Sequence, residues 1–169
     1  VLLDLSTVCD APEKKLKARL KAKRLVVVHS RAIDETGETD AGLATFESWL
    51  QQLSNAWHRL KQLGYGTFVF TSDHGEWLGE HLKYGKGYPG DDAVSHVPLL
   101  IRLPDGPPSA VIDQMVEAVD LLPTLMDAIG VQIPPHVQGR SLLPLLKDPL
   151  LSGRDSVLME FTGWKTLRS

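Results

Sequence analysis

Leu43, Phe46, Leu50, Leu53, Trp57 and Leu60 recur at alternating steps of three and four. That spacing places them on one stripe of a long amphipathic helix, and Gly64 stands where a C′ residue belongs. Two short apolar runs flank this helix, Leu25-Val26-Val27-Val28-His29 and Thr67-Phe68-Val69-Phe70-Thr71. Their β-branched and aromatic content and their length predict buried strands. Strand, long helix, strand predicts a βαβ unit with the two strands as parallel neighbours.

The rest of the chain supplies further elements. Residues 13–24 read as a basic helix with Leu16 and Leu20 anchoring one face; the basic side is either a solvated surface or a patch for an anionic partner. A polar, Gly-rich stretch runs over 72–92. A third strand is expected over Pro98–Leu103, closed by the turn Pro104-Asp105-Gly106-Pro107-Pro108. Asp120 reads as the N-cap of a helix that turns Leu121, Leu122, Leu125, Met126 and Ile129 inward and ends at Gly130. Gly139–Leu146 reads as a short apolar helical turn and Ser156–Phe161 as a last strand. Without a convincing linker, residues 1–169 form a single α/β domain in this reading.

Composition narrows the class. The chain has 169 residues, 43% hydrophobic and 23% charged, which suits a folded domain with a sizeable core. The longest apolar runs are about five residues, too short for a membrane span. A net charge of −3 excludes a chain that acts as a whole as a basic glove for nucleic acid. One cysteine, Cys9, excludes an internal disulfide framework and a Cys-built zinc finger, and leaves the compartment open. Cys9 has no adjacent His and reads as a bystander. The opening Val1-Leu2-Leu3-Asp4-Leu5 lacks the basic n-region of a signal peptide and reads as the start of a piece of something longer.

The chemistry concentrates after the second strand. Ligands of open α/β sheets sit beyond the carboxyl ends of the strands, where Asp73-His74-Gly75 lies. A carboxylate and an imidazole side by side suit a divalent cation, with Gly75 freeing the backbone to bend; the alternative is a capping Asp and a surface His. Asp34, in the loop after the first strand with Gly37 and Glu38 beyond it, is either a further metal position or an Asp-Gly turn. Lys86, between two glycines, would grip an anionic ester. The spacing is not that of a Walker A loop, and no Gly-x-Ser-x-Gly elbow is present. His81 and His96 are candidates for the same pocket or structural histidines.

Several of these strings together resemble the sulfatase family of the alkaline-phosphatase superfamily. They are Phe70-Thr71-Ser72-Asp73-His74-Gly75-Glu76, Leu78-Gly79-Glu80-His81, Gly85-Lys86-Gly87, His96-Val97-Pro98-Leu99-Leu100-Ile101, Val119–Leu125 and Gln138–Leu142. The resemblance covers roughly residues 65–169 and implies an alkaline-phosphatase-like sheet flanked by helices, represented by part of the full domain. It implies Asp73 and His74 as ligands of a divalent metal ion, calcium first, with manganese, magnesium or zinc as alternatives. It implies catalysis by Lys86 and His96, and substrate contact by Lys86 and His81. His at position 74 resembles the branch that contains phosphonate monoester hydrolases. Asp34-Glu35-Thr36-Gly37-Glu38 is similar to the Asp-x-x-Gly-His segment of cofactor-independent phosphoglycerate mutases and PglZ-like domains, which hold a second metal there. On that ground Asp34 joins the metal set, with Glu38 replacing the His.

The sulfatase nucleophile lies in a Cys-x-Pro-Ser-Arg segment, which Cys9-Asp10-Ala11-Pro12 does not fit. The expectation is therefore metal-dependent hydrolysis of sulfate esters by a larger catalytic domain of which this chain is the C-terminal part, inactive alone. A homo-oligomer covering exposed core surface would follow. The substrate would be a sulfate or phosphate ester. The alternatives are a phosphatase, phosphomutase or PglZ-like enzyme, and a non-catalytic anion-binding scaffold.

Overall fold

The computed structural model describes residues 2–21, 27–29, 39–86, 90–106 and 110–169. Leu16, 1% exposed, is the centre around which its N-terminal part is built. The chain begins with β1 (Leu2–Asp4), α1 (Leu5–Asp10) and α2 (Glu13–Leu20). Pro12 opens α2; its carbonyl accepts the N–H groups of Lys15 and Leu16 at 2.9 and 3.0 Å, and its missing N–H costs nothing at that position. Leu16 and Leu20 turn inward as the four-residue spacing predicts. β2 (Val27–His29) and α3 (Thr39–Gln62) follow.

Val8, Leu16, Leu20, Ala56 and Leu60 form the buried cluster, with Cys9, Ala11, Trp49, Leu63 and Tyr65 packed against it. The buried face of α3 thus runs along Trp49, Ala56, Leu60 and Leu63. Phe46 and Leu50, expected in the stripe, are 41% and 42% exposed. Leu60 of the same stripe is buried and Leu53 and Trp57 are half-buried, so the stripe holds toward the C-terminal end of α3 and is open at Phe46 and Leu50. Arg59 donates to the carbonyls of Cys9 and Ala11 at the end of α1, satisfying acceptors that a helix leaves open. α3 ends as predicted: Gly64 has φ +92°, its N–H donates to the Lys61 carbonyl at 3.0 Å, and Tyr65 N–H to the Leu60 carbonyl at 3.1 Å. This is a Schellman motif.

β2 pairs in parallel with β1, Leu2 against Val27 and Asp4 against His29. The next strand, β3 (Phe68–Thr71), pairs with β6 (Leu99–Arg102). Among the described residues β2 is laddered to β1 and β3 to β6. The opening apolar residues take the ladder of β2, with α1 and α2 as the crossover that a parallel pair requires.

Two compact units divide the chain, Val1–Phe68 and Val69–Ser169. The second contains β4 (Trp77–Leu78), β5 (Tyr84–Gly85), α4 (Asp92–Ser95), β6, α5 (Leu121–Ala128), α6 (Leu143–Lys147), β7 (Val157–Phe161) and β8 (Trp164–Arg168). β7 and β8 form an antiparallel hairpin around Thr162-Gly163, so the last expected strand has a partner that the sequence reading missed.

The centre of this unit is polar. Asp120 is fully buried and Thr124 nearly so. The Asp120 carboxylate accepts the N–H groups of Glu117 and Arg140 at 2.9 and 2.8 Å and pairs with the Arg154 guanidinium. Thr124 Oγ1 donates to the Asp120 carbonyl at 2.6 Å and accepts Leu142 N–H at 2.8 Å. Asp120 thus ties the segment before α5 to Gly139–Leu142 instead of capping α5, where its side chain makes no cap bond. α5 accordingly buries Pro123 and Thr124, while Leu122 and Ile129 are 57% and 49% exposed. Gly130 ends α5 at φ +70°, as predicted. Among the described residues no helix is long and apolar enough to cross a membrane.

Candidate metal and anion site at the end of β3

β3 ends at Thr71, and the chain turns at once. Ser72 Oγ donates to the His74 carbonyl at 2.7 Å, and Asp73 Oδ1 accepts the His74 N–H at 3.1 Å. This local bonding is the turn chemistry of Ser and Asp. It swings the Asp73 and His74 side chains together: Nε2 of His74 stands 3.7 Å from Oδ2 of Asp73. Nδ1 of His74 is 2.9 Å from the Gly75 carbonyl. A carbonyl only accepts, so Nδ1 carries the proton in that bond, and in the neutral ring Nε2 is the nitrogen left to bind a metal.

The Asp73 carboxyl is held below the ordinary carboxylate range. Burial pushes it up, but hydrogen bonds from the Asp73 and His74 backbone, the His74 charge and the Ser72 hydroxyl together outweigh that push. An ionised carboxylate oxygen and an imidazole lone pair 3.7 Å apart fit a divalent cation: the gap is less than twice the ~2.0–2.6 Å ligand distances of such ions. The donor set is a pair. Among the described residues no group of three or more His, Cys, Asp or Glu is arranged to hold a metal, and Asp34 and Glu38 lie outside the described residues.

Gly75 is where α4 meets this turn. Its N–H donates to the Val94 carbonyl at 2.7 Å. A Cβ there would lie 2.0 Å from the Ala93 carbonyl oxygen, so only glycine allows the approach. Next, β4 and β5 pair antiparallel with Trp77 opposite Gly85. One step beyond that register stand Glu76 and Lys86, so the hairpin returns the exposed Lys86 to the start of the strand that leaves His74. Lys83 Nζ lies 4.6 Å from the centroid of the Trp77 ring, which is buried, within cation–π range.

His81 sits at the hairpin tip with φ +53°, and Leu82 follows at φ +57°. His81 Nε2 is 3.3 Å from Asp91 Oδ2, so the structure gives this histidine a carboxylate neighbour away from Asp73. Asp91 is held below its ordinary range, first by the Ala93 N–H, against burial, with the charges of His81 and Lys83 adding to the effect. His96 closes α4, its N–H donating to the Asp92 carbonyl at 3.0 Å, and is exposed. The structure thus brings Asp73 and His74 together and sets Lys86 one step beyond the β4–β5 ladder, opposite Glu76. It places His81 with Asp91 and His96 at the end of α4. Sequence reasoning missed Asp91 and Trp77. Asp91-Asp92-Ala93-Val94 carries an N-cap signature that would have drawn attention to Asp91.

The family model described as N-sulphoglucosamine sulphohydrolase, C-terminal, matches residues 79–169. The chain belongs to this sulfatase family. It is 41% identical over 129 residues to the extracellular sulfatase SULF-1 homolog of Drosophila melanogaster, covering 72% of this chain and 12% of that protein. It is 42% identical over 105 residues to arylsulfatase K of Xenopus laevis, covering 61% and 19%. The crystal structure of phosphonate monoester hydrolase of Agrobacterium radiobacter superposes with a TM-score of 0.56 at 36% identity, over 64% of this chain and 22% of that one. The sulfatase chain therefore has the α/β fold of these enzymes and corresponds to a C-terminal part of them. It spans about a fifth or less of the length of these relatives.

Proposed function

We propose that the protein hydrolyses sulfate esters with a divalent metal ion, and that this chain contributes the end of β3 and the Lys86 hairpin to the active site. The observation that carries this reading is the Asp73–His74 pair, with the carboxylate kept ionised and Nε2 turned toward it at 3.7 Å. Membership of the sulfatase family supports the reaction class.

A cation held there would neutralise ester oxygens and favour an ionised nucleophile. Asp73 and His74 would supply two of its ligands. The Gly75 carbonyl keeps the His74 proton on Nδ1 and so keeps Nε2 available. Lys86 brings an ammonium to the anionic ester and meets charge that grows as the S–O bond breaks. His81 and His96 would contact substrate or transfer a proton to the leaving alcohol.

The test is a Asp73→Asn substitution in the intact protein, assayed on an aryl sulfate with and without chelator. Loss of turnover together with loss of metal affinity is expected; an unchanged rate would sink the assignment. Phosphonate and phosphate monoesters form the second reading, favoured by the likeness to the phosphonate monoester hydrolase. Assaying both ester classes on one preparation ranks them.

A further inference from the structure

Asp91 belongs to none of the roles above, yet it joins three parts of the scaffold. Its Oδ1 accepts the Ala93 N–H at 3.0 Å, and its carbonyl accepts Val94 and Ser95 N–H at 3.1 and 2.9 Å, so it holds the first turn of α4. α4 in turn holds the residue after the metal pair: the Val94 carbonyl accepts Gly75 N–H at 2.7 Å, and the Ala93 carbonyl fills the space where a side chain on Gly75 would go. Gly75 is the residue whose carbonyl faces His74 Nδ1. The second oxygen, Oδ2, faces His81 at 3.3 Å at the tip of the hairpin that leads to Lys86.

We propose that Asp91 is a positioning residue, which through α4 and Gly75 fixes the tautomer and orientation of the His74 imidazole for binding a divalent cation. A carbonyl that sets which ring nitrogen keeps the proton is a common outer support of histidine ligands. Here the carbonyl belongs to Gly75, and Gly75 is seated by the helix that Asp91 caps. The Asp91 side-chain oxygen does this as a cap acceptor, a task asparagine performs equally well. The proposal rests on the reading of Asp73 and His74 as metal ligands.

The experiment uses the intact protein, with Mn2+ titrated by electron paramagnetic resonance and the His74 tautomer read in the metal-free form by 15N-histidine NMR. Asp91→Ala removes the cap acceptor, and an unchanged circular-dichroism spectrum checks that the fold is kept. It is expected to weaken Mn2+ binding about tenfold, the lower end of what losing an outer support costs, and to mix the His74 tautomers. Asp91→Asn is expected to stay within about threefold of the wild type, because the cap oxygen remains. Wild-type affinity and a single tautomer in Asp91→Ala, or an Asp91→Asn variant as weak as Asp91→Ala, would overturn the proposal. Asp73→Asn is the control: Mn2+ binding unchanged in that variant means the metal reading itself fails, while the tautomer measurement still judges Asp91.

Discussion

The Arg154 guanidinium meets both carboxylate oxygens of Asp120, a side chain with no exposed surface. Nη2 donates to Oδ1 at 2.7 Å and also reaches Glu117 Oε2 at 2.9 Å. The backbone N–H groups of Glu117 and Arg140 complete the shell around the carboxylate. Breaking such a pair leaves a buried charge uncompensated, so Arg154→Met is expected to cost about 3–5 kcal/mol of stability in urea denaturation. The Lys165–Glu160 pair, 2.5 Å apart on the surface, is the contrast: Lys165→Ala is expected to leave the denaturation midpoint unchanged.

The same carboxylate predicts a pH dependence. Burial pushes the Asp120 carboxyl up, but the Arg154 hydrogen bonds, the Arg140 and Glu117 N–H groups and the Arg154 charge outweigh it and hold it below the ordinary range. Its folded pKa is thus lower than the unfolded value of about 3.9. The stability it contributes is present above that value and is lost as pH falls through the folded pKa. Melting temperatures of wild type and Asp120→Asn are expected to differ most at neutral pH and to converge in acid. A constant gap down to the acid limit would show that the charge of Asp120 is not what stabilises the fold.

The uneven burial along α3 gives a paired test. Leu16 is fully buried, and truncating it to Ala is expected to cost about 2–5 kcal/mol, the range for a core leucine. Leu50 stood in the sequence stripe but is 42% exposed. Leu50→Ala is expected to cost less than about 1 kcal/mol. Equal losses in thermal denaturation would restore the original stripe.

Local rules made much of this legible. Gly64 and Gly130 are read correctly because a helix that ends in the left-handed region needs glycine there, and that demand is local. Leu16 and Leu20 follow from spacing alone. The pairing of β2 with β1 was not legible, since strand partners are chosen by the whole chain and Leu2-Leu3-Asp4 carries no strand signal of its own. The Asp120–Arg154 pair joins residues 34 apart in sequence, and no pattern in the chain announces it. Asp73 and His74 stood out because both chemistry-bearing residues are adjacent in sequence. The support from α4 did not, because it acts through the Val94 and Ala93 carbonyls, and a backbone atom leaves no mark on the identity of its residue.

Substituting Lys86 tests whether charge at the ester acts independently of the proposed metal pair. Lys86 follows β5 just past the register position opposite Trp77 and is exposed. If its ammonium meets charge that develops during ester cleavage, Lys86→Met is expected to lower kcat/KM about 100- to 1000-fold, the effect of removing one well-placed electrostatic contact. Lys86→Arg keeps the charge and is expected to recover part of the loss, limited by the different shape of the guanidinium. If Asp73 and His74 hold the metal, Mn2+ affinity is expected to stay at the wild-type value in both variants. A Lys86→Met enzyme that loses metal affinity and rate together would mean that Lys86 supports the metal pair, and the ester would then need another cation.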